Sequence, residues 1–198
     1  MSELKNKKVL LVITGGIAAY KSLELIRILK KKECSVKTIL SKNANEFVTP
    51  LSVTSLSQEK VYSDLFDPSS EVEMDHISLS RWADIILIAP ATANTLSKIS
   101  NASADDLAST VLLAADKEFF IAPAMNVRMW ENKSNKNNVN ILKNMGHEFI
   151  GPVIGDMACG EYGEGKMTEQ QEIVKYLEIK HKELKKNNGL NAIFTAVP

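Results

Sequence analysis

KKVLLVITGGIAAYKSLELIRILKKK, residues 7–32, decides how this chain folds. Its first part, KKVLLVIT, is short, β-branched and continuously apolar, which suits a strand buried on both faces. After two glycines comes IAAYKSLELIRILKKK, where Ile17, Leu25, Ile26 and Leu29 stand at helical spacing and lysines gather at the end. A doubly buried strand followed at once by an amphipathic helix is the unit of a parallel sheet with helices on both faces.

The rest of the chain repeats that unit. CSVKTIL reads as a second strand, ADIILIAP as a third, EFFIAP as a fourth and HEFIGP as a fifth. Helical patterns fall at Pro50 to Ser57, Asn94 to Ile99, Ala104 to Ala115 and Ser134 to Met145. The expected architecture is a three-layer α/β fold of Rossmann or flavodoxin type.

Composition bounds the function. The chain has 198 residues, enough for one domain with a substantial core. Lys plus Arg and Asp plus Glu each number 24, and the zero net charge argues against a nucleic-acid binder. The early apolar run is too short for a membrane span, and the start lacks a signal-peptide cleavage pattern. The two cysteines, Cys34 and Cys159, make neither a disulfide framework nor a zinc spacing, so no metal is expected. These features point to a soluble, cytoplasmic protein.

In such folds ligands bind where the strands end, so the strand exits carry the functional reading. After the first strand, Gly15 and Gly16 stand between strand and helix, where backbone N–H groups can cradle a phosphate. The turn is not G-x-G-x-x-G, and Leu40 and Ser41 end the second strand where an adenosine ribose would want an acid. A mononucleotide is therefore favoured over a dinucleotide. The third and fourth strands leave through APATANT and APAMNVRMW, each placing an asparagine, Asn94 or Asn126, after Ala-Pro. Either can serve as a helix N-cap, and either can offer a donor and an acceptor to a heterocycle or carboxylate.

One segment breaks the pattern. GDMACGEYGEGKM, residues 155–167, surrounds Cys159 with four glycines and the acids Asp156, Glu161 and Glu164, and reads as a loop. Negative neighbours favour a protonated thiol, and glycines would let such a loop close as a lid. Cys34 reads as a small buried hydrophobe. Of the three histidines, His147 and His181 attract no functional reading, and composition alone makes His76 a surface residue.

Five segments in order, TGGIAAYK, DHISL with His76, PATANT, PAMNVRMW and GDMACGEYGEGKM, make the chain resemble the flavin-dependent cysteine decarboxylases across roughly residues 8 to 170. Peptidyl-cysteine decarboxylases share the first four segments and lack the cysteine-bearing loop, so Cys159 points to the coenzyme A branch. The resemblance implies FMN as cofactor and a trimer-based homo-oligomer with flavin and substrate between subunits. It implies that (R)-4′-phosphopantothenoylcysteine loses CO2 to give 4′-phosphopantetheine. Carried residue by residue, it makes His76, Asn126 and Cys159 catalytic, with Met129 and Ala158 joining Asn126 and Cys159 around the substrate. The flavin contacts become Gly15, Gly16, Ile17, Ser41, Phe47, Thr92, Ala93, Asn94 and Thr95. The implied chemistry oxidises the substrate thiol to a thioaldehyde, whose C=S accepts the electrons released with CO2, and then reduces the ene-thiolate. Asn126 would grip the carboxylate, His76 would assist proton removal or stabilise charge, and Cys159 would return a proton.

The tail reads as an amphipathic helix to about residue 186, a breaker at Asn187 to Gly189, and a strand-like NAIFTA. Residues 1–186 are expected to form the flavoprotein domain and 187–198 a tail, either the start of a truncated ligase domain or the divergent end of a stand-alone enzyme. Two other function classes stay open: a flavin-binding electron carrier, which needs no lid thiol, and a regulatory relative without decarboxylase activity.

Overall fold

The computed structural model describes residues 2–65 and 76–194. In chain order its elements are β1 (Lys8–Ile13), α1 (Lys21–Lys31), β2 (Ser35–Leu40), α2 (Pro50–Ser57), β3 (Val61–Tyr62), α3 (His76–Trp82), β4 (Ile85–Ala91) and α4 (Ala93–Ser100). There follow α5 (Leu107–Leu113), β5 (Phe119–Pro123), α6 (Val127–Glu131), α7 (Lys133–Asn144), β6 (Glu148–Phe149), β7 (Val153–Asp156), β8 (Tyr162–Lys166) and α8 (Gln170–Phe194). The first six strands form one sheet in the order β3-β2-β1-β4-β5-β6. Every pairing in it is parallel, with Val9 opposite both Val36 and Ile85 at its centre.

The alternation of side chains explains why a continuous apolar run forms the central strand. Val9, Leu11 and Ile13 of β1 enter one core with Leu25, Ile26 and Leu29 of α1 and Ile173, Val174 and Leu177 of α8. Leu10 and Val12 enter the other, with Leu79 of α3, Leu96 of α4, Val111 and Leu112 of α5, and Val139 and Leu142 of α7. Both faces of the sheet are therefore covered, and polar residues would be costly anywhere along β1 or β4. Burying each such aliphatic side chain contributes roughly 1.5–3 kcal/mol. Helix α1 presents Ser22, Leu25, Ile26 and Leu29 as a single buried stripe, with Lys30 and Lys31 at its negative end. It stops where Glu33 adopts a left-handed φ of 62° and the chain turns into β2. The adjacent Cys34 is 4% exposed and its thiol donates to the Leu4 carbonyl at 3.3 Å; burial pushes that thiol up to about 11.

Three elements differ from the sequence reading. Val61–Tyr62 adds a sixth strand at the sheet edge, too short to show any periodicity. Setting it aside, the order β2-β1-β4-β5-β6 is the 2-1-3-4-5 of flavodoxin-like sheets. The cysteine-bearing segment is not a loop: β7 and β8 pair antiparallel, Gly155 opposite Gly163 and Asp156 opposite Tyr162, as a separate hairpin. Finally, the expected break at Asn187 to Gly189 does not occur, because α8 runs on to Phe194 and takes up the first residues of NAIFTA. A single glycine costs a helix only about 1 kcal/mol.

Candidate active site at the strand exits

β1 and β4 are neighbours in the sheet, yet α1 and α4 leave them for opposite faces. Such a switch point opens a crevice at the carboxyl ends of the strands. Thr14, the residue after β1, is 2% exposed and lines that crevice. Its hydroxyl donates to the Pro90 carbonyl at 2.7 Å and accepts the Thr92 N–H at 3.2 Å. At the start of α1, the Ser22 hydroxyl donates to the Ala89 carbonyl at 2.7 Å. The two strand exits are thus fixed against each other by buried hydrogen bonds. Neither threonine nor serine carries a sequence signature for this, so Thr14 went unread.

The glycine turn sits on this base. A Cβ on Gly15 would overlap Asn43 in the turn that follows β2, so glycine is required there by close approach. Gly16 is extended at φ −172°, and a Cβ on it would meet Thr92 Cγ2 at an ordinary 3.6 Å. Ser41 leaves β2 with its N–H donating to the Ile13 carbonyl at 3.0 Å. Across the crevice Thr92 caps α4, accepting the Thr95 N–H at 3.3 Å. The cap is therefore Thr92, and Asn94 stands exposed in the first turn.

Asn126 does cap its helix, with Oδ1 accepting the Arg128 N–H at 2.8 Å. Its Nδ2 donates to Cys159 Sγ at 3.4 Å and to the Glu161 carboxylate. What brings the thiol there is the second hairpin strand. Gly165 lies so close to Met125 that a Cβ would overlap its carbonyl, and the Met125 N–H donates to the Gly165 carbonyl at 3.0 Å. Gly163, at φ +156°, would put a Cβ 2.7 Å from Val127 Cγ2. Gly163 and Gly165 seat the hairpin on the Asn126 segment. At the tip the Gly160 N–H donates to the Met157 carbonyl and the Met157 N–H to the Glu161 carbonyl, both at 2.9 Å, which holds Cys159 exposed at the turn.

Between the strand exits and the hairpin lies a cavity of about 1130 Å³. Gly15, Gly16, Ile17, Ser41 and the Thr92–Thr95 segment line one side; Asn126, Met129, Ala158 and Cys159 line the other. Two expected site residues are not among its walls. Phe47 ends the turn after β2 with 43% of its surface exposed, and His76 is the first residue of α3. The structure also adds charges that no motif announced. Lys98 reaches Asp105 at 2.7 Å and Asp106 at 2.6 Å. Burial works against the Lys98 charge, yet the two carboxylates raise its pKa and are themselves held below the usual carboxylate range. Lys21 pairs with Glu169 at 2.8 Å, and this hydrogen bond holds the Glu169 carboxyl low. Asp106 also forms a capping box with Ser109, and the spacing DLAS was the one signal that could have located it.

At about 1130 Å³ the cavity stands at the top of the range for ligand pockets and is large enough for a mononucleotide. Gly15 and Gly16 bring backbone to the cavity wall just ahead of the helical turn Ile17–Tyr20, the setting in which N–H groups hold a phosphate, and no acid ends β2 to select a second ribose. Among the described residues no group of His, Cys, Asp and Glu could hold a metal ion, and no helix is long and apolar enough to cross a membrane.

A family model described as Flavoprotein matches residues 1–181. The chain is 43% identical over 196 residues to the Coenzyme A biosynthesis bifunctional protein CoaBC of Haemophilus influenzae, an alignment covering 99% of this chain and 49% of that protein. The chain thus spans about half the length of the curated relatives it matches. Among solved structures, a PPC decarboxylase mutant complexed with pantothenoylaminoethenethiol is similar at a TM-score of 0.80 and 32% identity, over 90% of this chain and 100% of that one. The FMN binding protein AtHal3 is similar at a TM-score of 0.78 and 32% identity, over 90% and 98% of the two chains. With a parallel sheet, a glycine turn at its switch point and these likenesses along nearly its whole length, the chain belongs to the flavoprotein family.

Proposed function

We propose that this chain catalyses the FMN-dependent decarboxylation of (R)-4′-phosphopantothenoylcysteine to 4′-phosphopantetheine, a carboxy-lyase step of coenzyme A biosynthesis. The observation that carries the reading is the meeting of Asn126 Nδ2 and Cys159 Sγ, 3.4 Å apart, across a cavity from the glycine turn. The CoaBC and PPC decarboxylase likenesses support the same reaction.

FMN fits the side of the cavity formed by Gly15, Gly16, Ile17, Ser41 and Thr92–Thr95. When bound it supplies a reversible two-electron acceptor beside the substrate's thiol-bearing carbon, so that the net reaction needs no second substrate. The chain's own residues do the rest. Asn126, held by its cap, turns an N–H donor toward the substrate carboxylate and fixes the bond that breaks. Cys159, at the hairpin tip, carries a proton to the carbon left after CO2 departs. Met129 and Ala158 bound the same side of the cavity, and the hairpin covers it against water.

His76 stands outside the cavity of its own chain. The reading therefore includes a trimer-based homo-oligomer in which His76 and Phe47 of one copy serve the site of the next. It also takes the enzyme as cytoplasmic, without nucleic-acid or membrane partners, with residues 1–186 as the decarboxylase domain and 187–198 as a tail. The deciding experiment is mass spectrometry of 4′-phosphopantothenoylcysteine incubated with the purified, FMN-loaded protein. Appearance of 4′-phosphopantetheine is the expected outcome. Unchanged substrate with flavin bound would turn the reading to an electron carrier, which the flavodoxin-like strand order favours.

A further inference from the structure

The Asn126 amide is fully engaged. Its Oδ1 accepts the Arg128 N–H at 2.8 Å, which settles the orientation of the amide and turns Nδ2 toward the hairpin. Nδ2 has two hydrogens: one meets Cys159 Sγ at 3.4 Å and the other the Glu161 carboxylate. Two neighbouring acids have lysine partners, Glu164 of the same hairpin with Lys136 at 3.9 Å and Glu169 of the cavity wall with Lys21 at 2.8 Å. Glu161 instead presents its carboxylate to the amide that the proposed reaction assigns to the substrate's carboxylate. A second carboxylate can take that donor only if Glu161 leaves it.

We propose that Glu161 is an internal competitor, a resident carboxylate that occupies the carboxylate position on Asn126 and is exchanged for the substrate's own. The inference rests on the carboxylate-binding role given to Asn126 above. Exchange replaces one charge-assisted hydrogen bond by another, so the substrate gains little ground-state affinity from its carboxylate. Binding the ground state less tightly leaves a lower barrier to climb at a saturating substrate level. Once CO2 has left, the product has no group for Asn126, and Glu161 returns to the donor rather than leaving it unpaired. Because Glu161 and Cys159 share one tip turn, the same exchange moves the thiol relative to Asn126 with each turnover.

Two thiol-free probes separate this from a structural role: 4′-phosphopantothenoylalanine, which keeps the carboxylate, and the matching ethylamide, which lacks it. Neither is oxidised, so calorimetric titration of the FMN-loaded protein reads binding alone. Glu161→Gln is expected to tighten the alanine probe roughly fivefold, the difference between a charged and a neutral hydrogen-bond competitor, and to leave the ethylamide within about twofold. In an Asn126→Ala background the same substitution is expected to have no effect on either probe. Equal shifts for both probes, or a persisting effect without Asn126, would overturn the competitor while wild-type turnover of 4′-phosphopantothenoylcysteine still upheld the reaction. A wild type that neither turns over that substrate nor binds the alanine probe would sink both.

Discussion

The two walls of the cavity are built on opposite principles. The wall at the strand exits is part of the core: Thr14 is 2% exposed, its hydroxyl makes one buried and one partly buried hydrogen bond, and β1 and β4 behind it are apolar on both faces. The hairpin wall is an addition to the fold. β7 pairs with β8 alone, and Ile154 and Tyr162 leave 67% and 70% of their surfaces exposed. An isolated hairpin is marginal by itself, and this one is held chiefly by the contacts of Gly163 and Gly165 with the Met125–Val127 segment. The difference suits the two jobs that the proposed function gives these walls. Holding a cofactor needs a surface that does not move, whereas exchanging a substrate needs a cover whose opening costs much less than unfolding.

Three substitutions test that division. The largest effect is expected from Cys159→Ser, which should lower product formation by roughly 10²–10⁴-fold, the usual worth of a positioned proton donor. Its stability should stay within about 0.5 kcal/mol of wild type in urea denaturation, because the tip is exposed. A large loss of stability would mean that the hairpin belongs to the core after all. Thr14→Val should do the reverse. It keeps the shape but leaves the Pro90 carbonyl and the Thr92 N–H without their partner, costing about 1–3 kcal/mol by the same denaturation measurement. The smallest effect concerns the ion pair between α1 and the segment after β8. Glu169 is held low by Lys21, so its contribution is present above the unfolded value of about 4.3 and is lost as pH falls through the lower folded value. Lys21→Met should therefore cost under about 1 kcal/mol at neutral pH and nothing once both states are protonated. A cost that persisted in acid would point to packing of the lysine stem instead.

The same division runs through what could be read from the sequence. The strand-exit wall was legible because its elements announce themselves locally: doubly buried strands are apolar runs, and the helix stripe of α1 has its own period. The two elements were also adjacent, so the glycine turn between them could be placed. The hairpin wall was not legible. Its strands contain glycines at 155, 163 and 165 where side-chain alternation would otherwise show, and Gly163 and Gly165 answer to Val127 and Met125, far away in sequence. The Lys98 contacts with Asp105 and Asp106 were invisible for the same reason, since they depend on how α4 meets the start of α5. Of the paired asparagines, the sequence could not tell that a threonine two residues earlier would take the cap from Asn94. His76 was recognised by its surroundings in the motif, but its distance from the cavity of its own chain is a fact of three dimensions.

The two thiols of this chain have opposite circumstances, and that has a practical consequence. Cys34 is enclosed under Leu4 with its thiol pushed up to about 11, while Cys159 stands exposed at the hairpin tip. A maleimide dye added to the folded protein near neutral pH therefore attaches at one place, with no engineered cysteine and none to remove. The unaltered chain is ready for single-molecule fluorescence on the turn that carries Cys159.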